Sequence, residues 1–182
     1  MKVAALLAVF ASTLAQSAIV GSPNSPFTCE NKEVFSTSYI GQYKNVKAEV
    51  VSCSNHLQRR SEFVKRQTDV CGGACTTNCF APAGNGPDPN DCQVIADALL
   101  YASQNGEPLF DIDAGTSGIY MQYQTCQSYF LNQASYNETY CRSDWAEVIE
   151  YVAFNCQSQQ NAHGGNCVAS DQSWFIQIQL NA

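Results

Sequence analysis

The arrangement of ten cysteines about one Lys-Arg pair constrains this chain more than any other feature. Cys29 and Cys53 precede Lys65-Arg66, and Cys71, Cys75, Cys79, Cys92, Cys126, Cys141, Cys156 and Cys167 follow it. In an oxidising compartment an even cysteine count reads as a disulfide framework. Each side of the pair is even, so each can close its own bridges and leave no orphan thiol. Eight cysteines allow about 105 pairings, and spacing does not choose among them.

Zinc or an iron–sulfur cluster would need three thiolates and a fourth ligand, and Cys71-x3-Cys75-x3-Cys79 offers the three. Its spacing departs from the usual C-x2-C pairs, so the expectation is disulfides, with no metal and no cofactor. The oxidising compartment follows from the N-terminus. Met1-Lys2 gives a short positive start, the apolar run "VAALLAVFASTLA" follows, and small residues close it. This is the pattern of a signal peptide, taken here as residues 1–18, with cleavage after Ala15 or Ala18. No later stretch approaches the roughly 18 to 20 apolar residues of a membrane helix. A secreted, extracellular chain without membrane insertion is expected.

Charge divides the chain at the same place. Residues 19–66 carry seven Lys/Arg against four Asp/Glu, a net of +3. Residues 67–182 carry twelve Asp/Glu and one basic residue, Arg142, a net of −11. Lys65-Arg66 is therefore read as a processing site. Residues 19–66 form a pro-segment or small hairpin module holding Cys29 and Cys53. Residues 67–182 form the mature cysteine-rich domain. The basic segment is expected to dock on its acidic domain, to screen the sheet face during folding or block the binding site, and then to leave. A domain of net −11 repels nucleic acid and anionic membrane surfaces.

Caps and periodicity give the fold class. Asp88-Pro89 is an N-cap followed by proline at the first helical position. "PNDCQVIADALLYASQ" then runs as a helix with Cys92, Ile95, Ala96, Leu99 and Ala102 inward. A second helix starts at Ser143, with Trp145, Val148, Ile149, Val152, Ala153 and Cys156 on its apolar stripe. "LFDID" is a short strand. "GIYMQYQTCQSYFLN" is one long strand or a hairpin, and "SWFIQIQL" is a final strand. The segment before Asp88 is too irregular to assign. The expected class is α+β: a small disulfide-rich α/β sandwich, with two helices packed on an antiparallel sheet.

Catalytic constellations are sparse. Asp111-x-Asp113-x-Gly115 begins like a calcium loop, but position 12 is Gln122, so the pattern fails. On a strand the two carboxylates share one face, roughly 6 to 7 Å apart, near the lower edge for an inverting glycosidase pair. His163 lies in a glycine loop, and "GTSG" is not a nucleophile elbow. Asn137-Glu138-Thr139 is an N-glycosylation sequon in a polar loop. The remaining pattern mixes aromatics with amides. Tyr120, Tyr123, Tyr129, Trp174 and Phe175 accompany Gln122, Gln124, Gln127, Gln177 and Gln179. Aromatic faces stack on sugar rings, and amides and carboxylates bond hydroxyl groups. Asp111, Asp113, Gln122, Tyr123, Trp174 and Gln177 are the candidate ligand-binding residues.

The order "NDCQVIADAL", "YQTCQSYF", "CRSDWAEVIEYVAFNC", glycine loop with Cys167, final strand resembles small secreted cysteine-rich proteins of fungi. It is similar in plan to the mushroom glycan-binding α/β-sandwich lectins. It is also similar, less closely, to the killer-toxin-like and necrosis-effector proteins. The lectin resemblance implies glycan or glycoprotein binding without catalysis. The toxin resemblance implies action on a competitor or host cell.

Overall fold

A computed structural model describes residues 26–55, 67–81, 84–114 and 118–181. The signal stretch, Lys65 and Arg66 lie outside the described residues, and so does Gly115 of the Asp-x-Asp-x-Gly stretch.

Helix α1 spans Pro89–Gln104, as its caps dictate. Asp88 Oδ1 accepts the Asn90 backbone N–H at 2.8 Å, which satisfies one of the orphan donors of the first turn. Cys92, Ile95, Ala96 and Leu99 are buried, while Ala102 is only half-buried. Helix α2 spans Arg142–Val152 and passes into a π-helical turn, Ala153–Gln159. Trp145, Ile149 and Val152 face inward, and the Trp145 Nε1–H donates to Ser128 Oγ at 3.0 Å.

The strands are β1 Glu33–Ile40, β2 Val46–Ser52, β3 Gln67–Asp69, β4 Cys75–Cys79, β5 Leu109–Ile112, β6 Gly118–Tyr123, β7 Cys126–Asn132, β8 Asn137–Cys141, β9 Gly164–Ala169 and β10 Trp174–Leu180. Seven form an antiparallel sheet in the order β1-β2-β6-β7-β10-β9-β4. A second sheet has the order β3-β8-β5, in which β3 runs parallel to β8. The chain is α+β, mostly antiparallel, with more strand than helix. "GIYMQYQTCQSYFLN" is a hairpin, β6 to β7, turning at Gln124–Thr125. Gly118 is fixed by space: a Cβ there would lie 1.9 Å from the Phe130 carbonyl oxygen.

Strand alternation divides the core in two. Trp174, Ile176 and Ile178 of β10 join Met121, Phe130, Val46 and the inner stripes of both helices. Phe175 of the same strand points the other way, into a cluster with Tyr120, Tyr129, Leu131, Val51 and Phe27. Tyr120 and Tyr129 stack at 4.6 Å, and Phe27 caps them, 5.9 Å from Tyr129 and 6.0 Å from Phe175.

Residues 26–55 form the expected hairpin, bridged by Cys29–Cys53, but it does not stand alone. β2 pairs with β6 from Lys47↔Gln122 to Val51↔Gly118, and Val46 and Val51 are fully buried. Lys32, at 2.6 Å, and Lys47 both pair with Glu49 of the same segment, while Arg59, Arg60, Lys65 and Arg66 lie outside the described residues. Backbone pairing and the Phe27 plug hold it, and its departure would open the edge of β6 and uncover Tyr129.

The other eight cysteines pair as Cys71–Cys141, Cys75–Cys167, Cys79–Cys156 and Cys92–Cys126. The Cys71-x3-Cys75-x3-Cys79 run is thus three separate bridges. Two of them tie β4 to β9 and to the π-helical turn. The stretch before Asp88, too irregular for a sequence assignment, supplies the short strands β3 and β4. The sequon is not in a loop. Asn137 opens β8, the middle strand of the small sheet, where pairing on both sides stabilises a polar sequence of low strand propensity.

Candidate functional site

The residues expected to bind ligand are dispersed by the fold. Trp174 and Gln177 are both buried, on opposite faces of β10, because they are an odd number of residues apart. Gln177 is already occupied. Its Oε1 accepts the Phe27 backbone N–H at 2.9 Å, and its Nε2 donates to the Phe27 carbonyl at 3.0 Å. Gln127 and Gln179 bond each other at 2.8 Å. Tyr120, Tyr129, Phe175 and Gln177 share one side that Phe27 of the N-terminal segment covers, while Trp174 and Tyr123 lie on the other. Gln122 and Tyr123 are half-buried near the β6–β7 turn. Asp111 and Asp113 are exposed. Asp111 Oδ1 accepts from Gln67 Nε2 and Thr139 Oγ1, each at 2.7 Å, and Asp113 Oδ1 accepts from Asn137 Nδ2 at 2.7 Å. His163 is half-buried, with its ring 5.8 Å from Phe80.

A different site is built along α2. A cleft of about 580 Å³ is lined by Thr77, Tyr140, Asp144, Glu147, Val148 and Tyr151, with Gly72 and Gly73 at its lip. Asp144, Glu147, Val148 and Tyr151 follow i, i+3, i+4, i+7, so one helical face presents all four. Cys71–Cys141 and Cys75–Cys167 close its rim, and the Gly72 N–H donates to Asp144 Oδ2 at 2.6 Å. Ser143 Oγ donates to Asp144 Oδ1 at 3.1 Å, which orients that carboxylate further.

Tyr140 forms the floor. Its ring packs 5.0 Å from both Phe130 and Trp174, and the residue is 2 % exposed. Its hydroxyl makes no hydrogen bond among the described residues. Burial pushes the phenol pKa well up, and the Asp144 and Glu147 carboxylates push it further, so both acids act on the hydroxyl. Tyr151 stands at the rim, 61 % exposed. Neither acid forms an ion pair with a described Lys or Arg; Arg142 pairs with Glu107 at 3.3 Å. The hydroxyl is not among the sealed, unsatisfied polar atoms of the core; it belongs to the cleft lining, where a ligand can bond it.

Along the sequence Asp144 is an ordinary first-turn acid, and Val148 falls on the inward stripe. The legible signal was the second stripe, Asp144-Glu147-Tyr151, running beside the apolar one. Tyr140 carries no signal, since its place on the floor depends on β8 packing against α2.

A second cleft of about 400 Å³ lies between the β1–β2 turn and α1, with Tyr43 and Tyr101 exposed beside Asn45, Asp97 and Gln104. It forms because Gly41, at φ 90°, lets the turn approach Ala98; a Cβ there would lie 2.9 Å from the Ala98 Cβ.

Among the described residues, no helix is long and apolar enough to cross a membrane, and the five disulfides fit an oxidising compartment. No family model and no curated protein matches the chain.

Proposed function

We propose that this is a secreted, non-catalytic glycan-binding protein whose ligand lies in the α2 cleft, on a two-helix α/β sandwich scaffold. The observation that carries the reading is the unpartnered Tyr140 hydroxyl, set beside two carboxylates and under an exposed tyrosine ring. A pyranose offers the complement: an apolar ring face for Tyr151 and hydroxyl groups for Asp144, Glu147 and Tyr140. Two disulfides fix the rim, so little ordering entropy is lost on binding. A glycan array probed with the intact secreted chain tests this. Binding that falls at least about tenfold in Tyr151→Ala supports it. Silence across a broad array refutes it.

A protein partner, as for a secreted effector, is favoured by one specific feature. β1 is an edge strand exposed along nearly its whole length, and it carries Val34, Phe35 and Tyr39 into solvent. Such an edge accepts an added strand. Target-cell binding that survives Tyr151→Ala and free sugars but fails in Phe35→Lys would select this reading.

A further inference from the structure

We infer that the α2 cleft selects a ligand bearing a protonated amine and, resting on the glycan reading, an amino sugar with its amine free. The acceptors in the cleft outnumber its donors. Asp144 and Glu147 each bring a carboxylate, Tyr140 brings an unpartnered hydroxyl, and among the described residues no Lys, Arg or His lines the wall. An ammonium carries three N–H donors and no acceptor, which matches three acceptors converging from one helix face and the floor beneath it. Tyr140 contributes a second attraction, because the phenol oxygen can accept while its ring edge is fixed by Phe130 and Trp174.

Asp144 is preset for this task. The Gly72 N–H and the Ser143 hydroxyl hold one oxygen each, so the carboxylate does not have to be ordered by the ligand. Glu147 is exposed and makes no hydrogen bond or ion pair among the described residues, so its charge remains available. An N-acetylated sugar would replace the ammonium with a neutral amide, which keeps one N–H donor and adds a carbonyl oxygen and a methyl group. The carbonyl would face two carboxylates and lose, and an acidic sugar would be repelled outright. The whole chain reinforces the choice, since a net charge of −7 draws cationic ligands at long range.

Isothermal titration of the full secreted chain tests the inference. The probes are a β-1,4-linked glucosamine oligomer, its fully N-acetylated counterpart, a glucose oligomer of the same linkage, and a lysine oligomer as a cation that is not a sugar. The glucosamine oligomer is expected to bind at least about tenfold more tightly than the N-acetylated one, and to weaken as salt rises. Glu147→Gln should lower that affinity about three- to fivefold, as should Tyr140→Phe, which removes the hydroxyl and keeps the ring. Glu30→Gln removes an exposed acid elsewhere on the surface and should change nothing. Equal losses in Glu30→Gln and Glu147→Gln would make the attraction diffuse and overturn the inference. Equal or tighter binding of the N-acetylated or glucose oligomer overturns amine selection but keeps the glycan reading. Binding of the lysine oligomer alone overturns the glycan reading and keeps amine selection. No binding by any probe overturns both.

Discussion

Glu138 shows how much one side chain can set the conditions under which this protein is stable. It is fully buried on β8, and neither carboxylate oxygen has a hydrogen-bond partner among the described residues. The Ser173 hydroxyl is close by but donates to Asp171 Oδ1 at 2.8 Å. Burial raises the Glu138 pKa to about 8, the Asp171 charge adds to the rise, and Ser173 offsets only part of it. The folded state thus holds a proton that the unfolded chain releases near pH 4.5. The Glu138 contribution is fully present below that pH and is lost as pH rises through about 8, by an amount on the order of 3 kcal/mol at pH 7. Urea denaturation at pH 5 and pH 8 checks this: wild type should weaken across the window, and Glu138→Gln should hold level. Equal slopes in the two proteins would refute it. Glu49 runs the other way. Its burial opposes ionisation, but Lys32 and Lys47 outweigh burial and lower its pKa, so its contribution is lost as pH falls.

At the scale of elements, the α2 cleft depends on a turn that the sequence cannot order by itself. The Gly72–Gly73 turn is pinned by Cys71–Cys141, which closes a span of 70 residues, and by the Gly72 to Asp144 bond. Replacing both cysteines with alanine should cost about 4 kcal/mol of stability through the freed unfolded chain. It should also weaken ligand binding in the still-folded protein, because Asp144 loses its anchor. Denaturation and titration on the same double variant measure both effects. Unchanged affinity with lowered stability would mean the turn does not shape the site. The β6–β7 turn is held in a similar way from α1, where Asp91 Oδ2 accepts the Thr125 N–H at 3.1 Å and its hydroxyl at 2.5 Å. Asp91→Ala should cost about 1 to 3 kcal/mol, read as a lowered denaturation midpoint.

For the whole molecule, the question is what a cut after Arg66 would do. We propose that a cut chain stays together as two polypeptides. None of the five disulfides joins residues 26–55 to the rest, so only non-covalent contacts would hold them. Those contacts are the β2–β6 ladder, the buried Val46 and Val51, and Phe27 seated between Tyr129 and Phe175 with both its backbone groups bonded to Gln177. Burying side chains of that size contributes about 1.5 to 3 kcal/mol each. Native mass spectrometry of the processed protein should show both pieces in one particle, and denaturation should separate them without reductant. A native particle containing only residues 67–182 would refute this. Phe27→Ala should loosen the association, because it empties the cap over the stacked tyrosines.

Features whose causes are local can be read along the chain. The Asp88-Pro89 cap fixed the start of α1, apolar periodicity fixed α2, and alternation fixed β10 and its two faces. The even division of cysteines about Lys65-Arg66 anticipated that Cys29 would meet Cys53. Tertiary structure decided what depends on partners distant along the chain. Three-residue β3 has no readable period, and it exists because β8 lies beside it. Asn137 opens a strand because its neighbours complete its ladder. Gln177 and Trp174 carried the right chemistry for a ligand but were claimed by Phe27 on one face and by the aromatic core on the other. Tyr140 and Glu147 looked ordinary in sequence. They become a site only where β8, α2 and a disulfide-pinned turn converge, since hydrogen-bond vacancy and charge proximity are properties of three-dimensional neighbours and not of spacing along the chain.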